Sequence, residues 1–105
     1  MRHKGIAVEF ADGTIYTVPP LTLGQIDRRQ DALGKLQSGN VLFNKEDRDT
    51  AVDVIHAALQ RNYPDLTPEH VRDELLDAAN IQIALAAVMG ASGLVERLKA
   101  AGASP

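Results

Sequence analysis

Few residues in this chain could do chemistry. Histidine titrates near neutral pH and is the commonest metal ligand, and the chain has three: His3, His56 and His70. Helical metal pairs sit one turn apart in a recognisable motif, and a structural zinc site needs four ligands. His56 and His70 are fourteen residues apart and fall in different expected helices. The simpler reading makes His70 the third residue of its helix and His56 a residue at the core margin. The carboxylates Asp73, Glu74 and Asp77 are close in sequence. Acid–base work would need environments that drive their pKa values apart, and on a polar helix face such groups serve solvation. Gly90-Ala91-Ser92-Gly93 is one residue short of a nucleophile elbow and follows a helix where the elbow follows a strand. It reads as a helix stop. Arg28 and Arg29 could touch phosphate, but Asp27 and Asp31 flank them. The absence of cysteine excludes thiol nucleophiles, disulfides, iron–sulfur clusters and Cys-based zinc sites. The expectation is a protein with no catalytic site, no metal and no cofactor.

Composition reads as a soluble, single-domain protein that is not an enzyme, and says nothing more of its role. At 105 residues and 11.3 kDa the chain is one domain by size. It is 45% hydrophobic and 24% charged, within the ordinary range for globular proteins. A net charge of −3 and a pI near 5.5 disfavour a general nucleic-acid surface. Its four aromatics are Phe10, Tyr16, Phe43 and Tyr63, with no tryptophan, so base-stacking platforms are scarce. Residues 51–77 carry six carboxylates against Arg61 and Arg72. This reads as the solvated face of two helices before it reads as a site for a basic partner. The start, Met1-Arg2-His3-Lys4, is basic like a signal peptide, but Glu9 interrupts before an apolar run forms. The longest uncharged stretch, Ala78 to Val95, is interrupted by Asn80, Gln82, Gly90, Ser92 and Gly93. It reads as a buried or partner-facing helix and not as a membrane span. The expected location is the cytoplasm.

The elements that would carry these residues begin with a β-hairpin. Ile6, Val8 and Phe10 alternate with Ala7 and Glu9 at the period of a half-buried strand. Asp12-Gly13 makes the turn, Thr14 to Val18 returns, and Pro19-Pro20 ends the strand. A lone hairpin is marginal in water, so it must pack on helices or pair with another chain. A homo-oligomer is one outcome. The first helix runs from the capping box Thr22/Gln25 to about Gln37, with Leu23, Ile26, Leu33 and Leu36 as its apolar face, interrupted by Gln30. Val41, Leu42 and Phe43 form a short link. A second helix starts on Asn44 and buries Ala51, Val54, Ile55, Ala58 and Leu59. The third starts on Thr67 with Pro68 at its first position, buries Val71, Leu75 and Leu76, and ends near Asn80. The fourth spans Ile81 to Met89, with Gly90 as its cap. The fold class is therefore α+β: an N-terminal β-hairpin (1–20) followed by a small bundle of about four helices (21–90), mostly α. Residues 1–95 form the single domain and 96–105 a frayed tail.

The fourth helix is apolar nearly all round. Ile81, Leu85 and Val88 mark one face, Ile83 and Ala87 another. Such a helix is buried on all sides or waits for a partner, and a chain this short has few elements with which to surround it. Ile81, Leu85 and Val88 are expected in the core. Ile83 and Ala87, with Leu94, Val95 and Leu98 of the tail, are the candidate partner contacts.

Two stretches of the chain together carry a family resemblance. One is Asp12 to Gln25, DGTIYTVPPLTLGQ. The other is Ala51 to Leu59, AVDVIHAAL, followed by Arg61 to Thr67 and later by Ala86 to Leu94, AAVMGASGL. This order resembles the small tail assembly chaperones of tailed bacteriophages and prophages, over about Gly5 to Leu94. The resemblance implies a non-enzymatic factor in the bacterial cytoplasm. It implies binding of the hydrophobic, helical tape measure protein and recruitment of tail tube subunits. An apolar helical surface gripping another amphipathic helix is compatible with that role. Nothing after Leu94 looks like a tube-binding extension. The alternatives are a minor structural tail or connector component of the virion, or a small protein-interaction domain.

Overall fold

A computed structural model describes residues 3–38 and 44–92. The hairpin stands where the alternation places it. Strand β1, Ile6–Glu9, pairs antiparallel with β2, Ile15–Val18, in a register that sets Ile6 opposite Val18 and Val8 opposite Tyr16. The turn is tightened by Gly13, whose φ of +83° suits glycine. Asp12 supports it, its carboxylate accepting from the Thr14 N–H at 2.9 Å. Val8, Phe10 and Val18 lie on the buried face of the sheet, while Ala7, Glu9 and Ile15 lie on the open one.

The expected first helix is two. Helix α1, Leu23–Arg28, starts on the full capping box: Thr22 Oγ1 accepts from Gln25 N–H at 3.0 Å, and Gln25 Oε1 from Thr22 N–H at 2.8 Å. It stops at Arg29, whose φ of −119° and ψ of 18° leave the helical region. Helix α2, Gln30–Ser38, follows at once. The break sits beside Gln30, the polar interruption in the apolar pattern. It lets Leu33 and Leu36 reach the core while Leu23 stays 80% exposed. Arg29 ties the break to α3 through two hydrogen bonds to Asp53, the shorter 2.7 Å.

Helix α3, Lys45–Gln60, is the central element. Its N-cap is Asn44, whose side chain accepts from the Glu46 and Asp47 N–H groups. All five expected apolar positions are buried, and Val52 and Ala57 join them. The wider stripe follows from its neighbours, since α3 packs against α2, α5, β2 and the segment after Pro68. Gln25 Nε2 also donates to the Ala57 carbonyl at 3.0 Å, which fastens α1 to its side.

The third expected helix starts on Thr67 and Pro68 as read, but only α4, Pro68–His70, is α-helical. A π-helical turn, Val71–Leu75, continues it, and Leu76 N–H donates to Val71 C=O at 2.9 Å. The core explains the widening. Val71, Leu75 and Leu76 are all buried. Five-residue spacing brings Leu76 onto the side of Val71, where an α-turn would rotate it away. Asp77 and Asn80 then form a reciprocal cap: Asp77 Oδ1 accepts from the Asn80 N–H at 2.8 Å, and Asn80 Oδ1 from the Asp77 N–H at 2.9 Å. Helix α5, Ile81–Ala91, runs through Gly90 and ends at Ser92. Gly90 is not the expected cap. It permits close approach, because a Cβ there would lie 3.3 Å from Ile6 Cδ1. The fold class is α+β and mostly α, with five α-helices among the described residues. The link Val41–Phe43 and the tail 96–105 lie outside the described residues.

The side chains of one core hold the layers together. Val18, Ile55, Leu59, Val71, Leu75 and Val88 are fully buried, each contributing about 1.5–3 kcal/mol by area removed from water.

Candidate functional site

Four large apolar side chains stand exposed among the described residues: Ile6 at 41%, Ile15 at 64%, Leu23 at 80% and Ile83 at 61%. Scattered exposed apolar residues are ordinary, so their placement decides what they mean. Ile83 belongs to the outer stripe of α5, with exposed Ala86 and half-buried Gly90 one and two turns on. That stripe ends against Ile6, through the contact at Gly90. At the other end, Ala11 N–H donates to Leu75 C=O at 3.0 Å, just before α5 begins. Strand β1 therefore runs antiparallel to α5. Helix α5 packs on both α3 and β1, and α3 also packs on β2.

The expected contact residues divide on this geometry. Ile83 is exposed. Ala87 is 6% exposed and part of the core, so it offers a partner no surface: it lies one turn before Ala91 and beside buried Ala84 and Val88. Leu94, Val95 and Leu98 lie outside the described residues. Ile81, Leu85 and Val88 are buried, as expected of the core face. Ala86 and Ile6 were missed. The helical phase of Ile81, Ala84, Leu85 and Val88 points opposite to Ala86. On a helix apolar all round, no residue type marks that phase.

Two concave regions lie elsewhere. A cavity of about 560 Å³ is lined by Tyr16, Asn62, Tyr63, Leu66, Thr67 and His70, among others. Two of its lining residues, Tyr16 and Tyr63, belong to an edge-to-face aromatic cluster. Tyr16 meets Phe10 and Tyr63 edge-on, with centroids 5.5 and 4.8 Å apart. Burial, then the Asp12 carboxylate and Tyr63, push the Tyr16 phenol above its ordinary pKa. A smaller groove of about 260 Å³ has Val52, Leu76, Ala78 and Ile81 as its apolar lining and Arg48 and Arg72 at its sides. Arg72 donates to Asp49 at 2.6 Å, and Lys45 donates to the same carboxylate at 2.9 Å. Those two hydrogen bonds, Lys45 first, hold the Asp49 carboxyl below its ordinary pKa.

The histidines are kept apart. His56 Nε2 lies 2.9 Å from the Leu66 carbonyl, a satisfied position at the core margin. His70 is exposed at the rim of the larger cavity, and the His3 ring sits 3.5 Å from Arg61. Among the described residues, no three His, Asp or Glu side chains converge as a metal centre would require. No helix among the described residues is long and apolar enough to cross a membrane. No family model matches the chain, and neither a curated protein nor a solved structure is significantly similar to it.

Proposed function

We propose that this chain is a non-enzymatic tail assembly chaperone of a tailed bacteriophage or prophage. It acts in the cytoplasm of the bacterial host, binding the tape measure protein reversibly and keeping it soluble while the tail tube assembles. One observation carries the binding mode: the exposed stripe of α5, centred on Ile83 at 61% exposure. A solvent-facing isoleucine on a rigid helix, flanked by the small residue Ala86, can take an apolar residue of another helix. Repeated weak contacts along a long, repetitive partner would gain from avidity. The phage setting rests on the sequence resemblance carried by Asp12–Gln25, Ala51–Leu59, Arg61–Thr67 and Ala86–Leu94.

The test is co-expression with the tape measure protein of the same prophage. The expected result is a soluble complex that is absent from finished tails and is lost on Ile83→Asp. A second reading, a minor structural tail or connector component, draws on the open strand edge of β1, since sheet edges serve assembly. Recovery of the chain in purified particles, without rescue of the tape measure protein, would select it.

A further inference from the structure

Asp65 sits in a tight turn between α3 and α4. Leu66 N–H closes the turn on Tyr63 C=O at 3.0 Å, and Pro64, at the second position, suits it. On the far side of Asp65 the Leu66 carbonyl meets His56 Nε2 at 2.9 Å, and Thr67 caps α4. The loop is therefore anchored on both sides of an exposed carboxylate. No hydrogen bond or ion pair engages that carboxylate among the described residues. Asp65 lines the larger cavity, about 560 Å³, together with Tyr16 and Tyr63. Both tyrosines are half-buried and pack against the core, so the aromatic wall is as fixed as the loop.

The charge around this cavity has one sign. Among the described residues its lining holds no lysine or arginine. The two arginines of residues 51–77 are committed elsewhere: Arg61 donates to the Pro20 carbonyl, and Arg72 to Asp49. The Asp12 carboxylate in the hairpin turn adds its field at Tyr16. Tyr16 and Thr67 also bring hydroxyl oxygens, which accept hydrogen bonds.

We propose that this cavity receives an arginine side chain of a partner protein. The guanidinium meets the demand on each count: its charge answers Asp65, its flat face suits an aromatic wall, and its five N–H donors match several acceptors. A lysine ammonium is a compact point charge and uses fewer of these features. The loop is already ordered, which lowers the cost of binding. This site is separate from the Ile83 stripe and does not depend on which protein supplies the arginine.

The test is amide chemical-shift mapping of the full chain by nuclear magnetic resonance. The probes are N-acetyl-arginine methylamide, its lysine counterpart and its uncharged norleucine counterpart. The expected result is saturable shifts from the arginine probe confined to Tyr16, Tyr63, Asp65, Leu66, Thr67 and His70. The lysine probe should bind more weakly, and norleucine should give no saturable shift. Asp65→Asn should weaken the arginine probe about fivefold, the upper range for an exposed ion pair. Asp65→Lys should abolish binding, and both variants should keep the circular dichroism of the parent chain. Absence of saturable shifts at these residues would overturn the proposal. So would equal binding of the lysine or norleucine probe, or an affinity unchanged in Asp65→Asn.

Discussion

The phenol of Tyr63 accepts a hydrogen bond from the main-chain N–H of Thr17 at 2.9 Å, joining the loop after α3 to the outer edge of β2. Asn62, 6% exposed, works beside it: its side chain bonds both the N–H and the carbonyl of His3 and reaches the Thr17 carbonyl. A hairpin that is marginal alone is thus held by polar bonds on one side and by the core on its inner face. Tyr63→Phe should cost about 1 kcal/mol, since a part-buried donor loses its partner. Asn62→Ala should cost more, about 1–3 kcal/mol, because several main-chain groups lose theirs together. Urea denaturation of the two variants measures both values and their order.

The join between the π-turn and α5 depends on Asp77 and Asn80, which cap each other. Asp77→Ala removes the acceptor for the N–H groups of Ala79 and Asn80 in the turn before α5 and should cost about 1 kcal/mol. Asn80→Ala should cost more, because Asn80 Nδ2 also holds the Leu75 carbonyl at 2.8 Å. Thermal melts that rank Asp77→Ala as the worse variant would show that the Leu75 contact contributes little.

Local signals read well in this sequence, and long-range ones did not. The caps at Thr22, Asn44 and Thr67 and the turn at Gly13 are fixed within a few residues of chain, and the structure has each. The split at Arg29 depends on Asp53, 24 positions away, and the π-turn depends on three apolar residues sharing one core. The roles of Asn62 and Tyr63 are not legible locally, because their partners are His3 and Thr17, 45 or more positions away. The candidate site was half legible for a related reason. Pattern singled out α5, but only the packing of the neighbouring elements leaves Ile83 exposed and buries Ala87.

Acid should loosen the Lys45–Asp49–Arg72 cluster. The folded-state pKa of Asp49 is depressed by its hydrogen bonds to Lys45 and Arg72. Its contribution is therefore present above the ordinary carboxylate value, near 3.8, and is lost as pH falls through the lower folded value. All three side chains are substantially exposed, so salt should shrink the effect. A carbon-13 titration of the Asp49 carboxyl should show the depression. Arg72→Ala should move the midpoint upward, and an unmoved midpoint would assign the shift to Lys45 alone.

Ile83 and Ala87 stand one turn apart on α5 and should respond oppositely to charge. Ile83 is 61% exposed, so Ile83→Asp adds a carboxylate to a wet face and should change stability by no more than about 1 kcal/mol. Ala87 is 6% exposed, and an aspartate there must either clash with the core or bury an unpaired charge. Ala87→Asp should therefore lower the melting temperature sharply, as should Val88→Asp at 0% exposure. Circular dichroism melts read stability, and co-purification with the tape measure protein reads binding. A folded Ile83→Asp variant that loses the partner would place the contact on the outer stripe of α5. A folded variant that keeps the partner would remove α5 from the binding surface and direct the search to the groove between Val52 and Ile81.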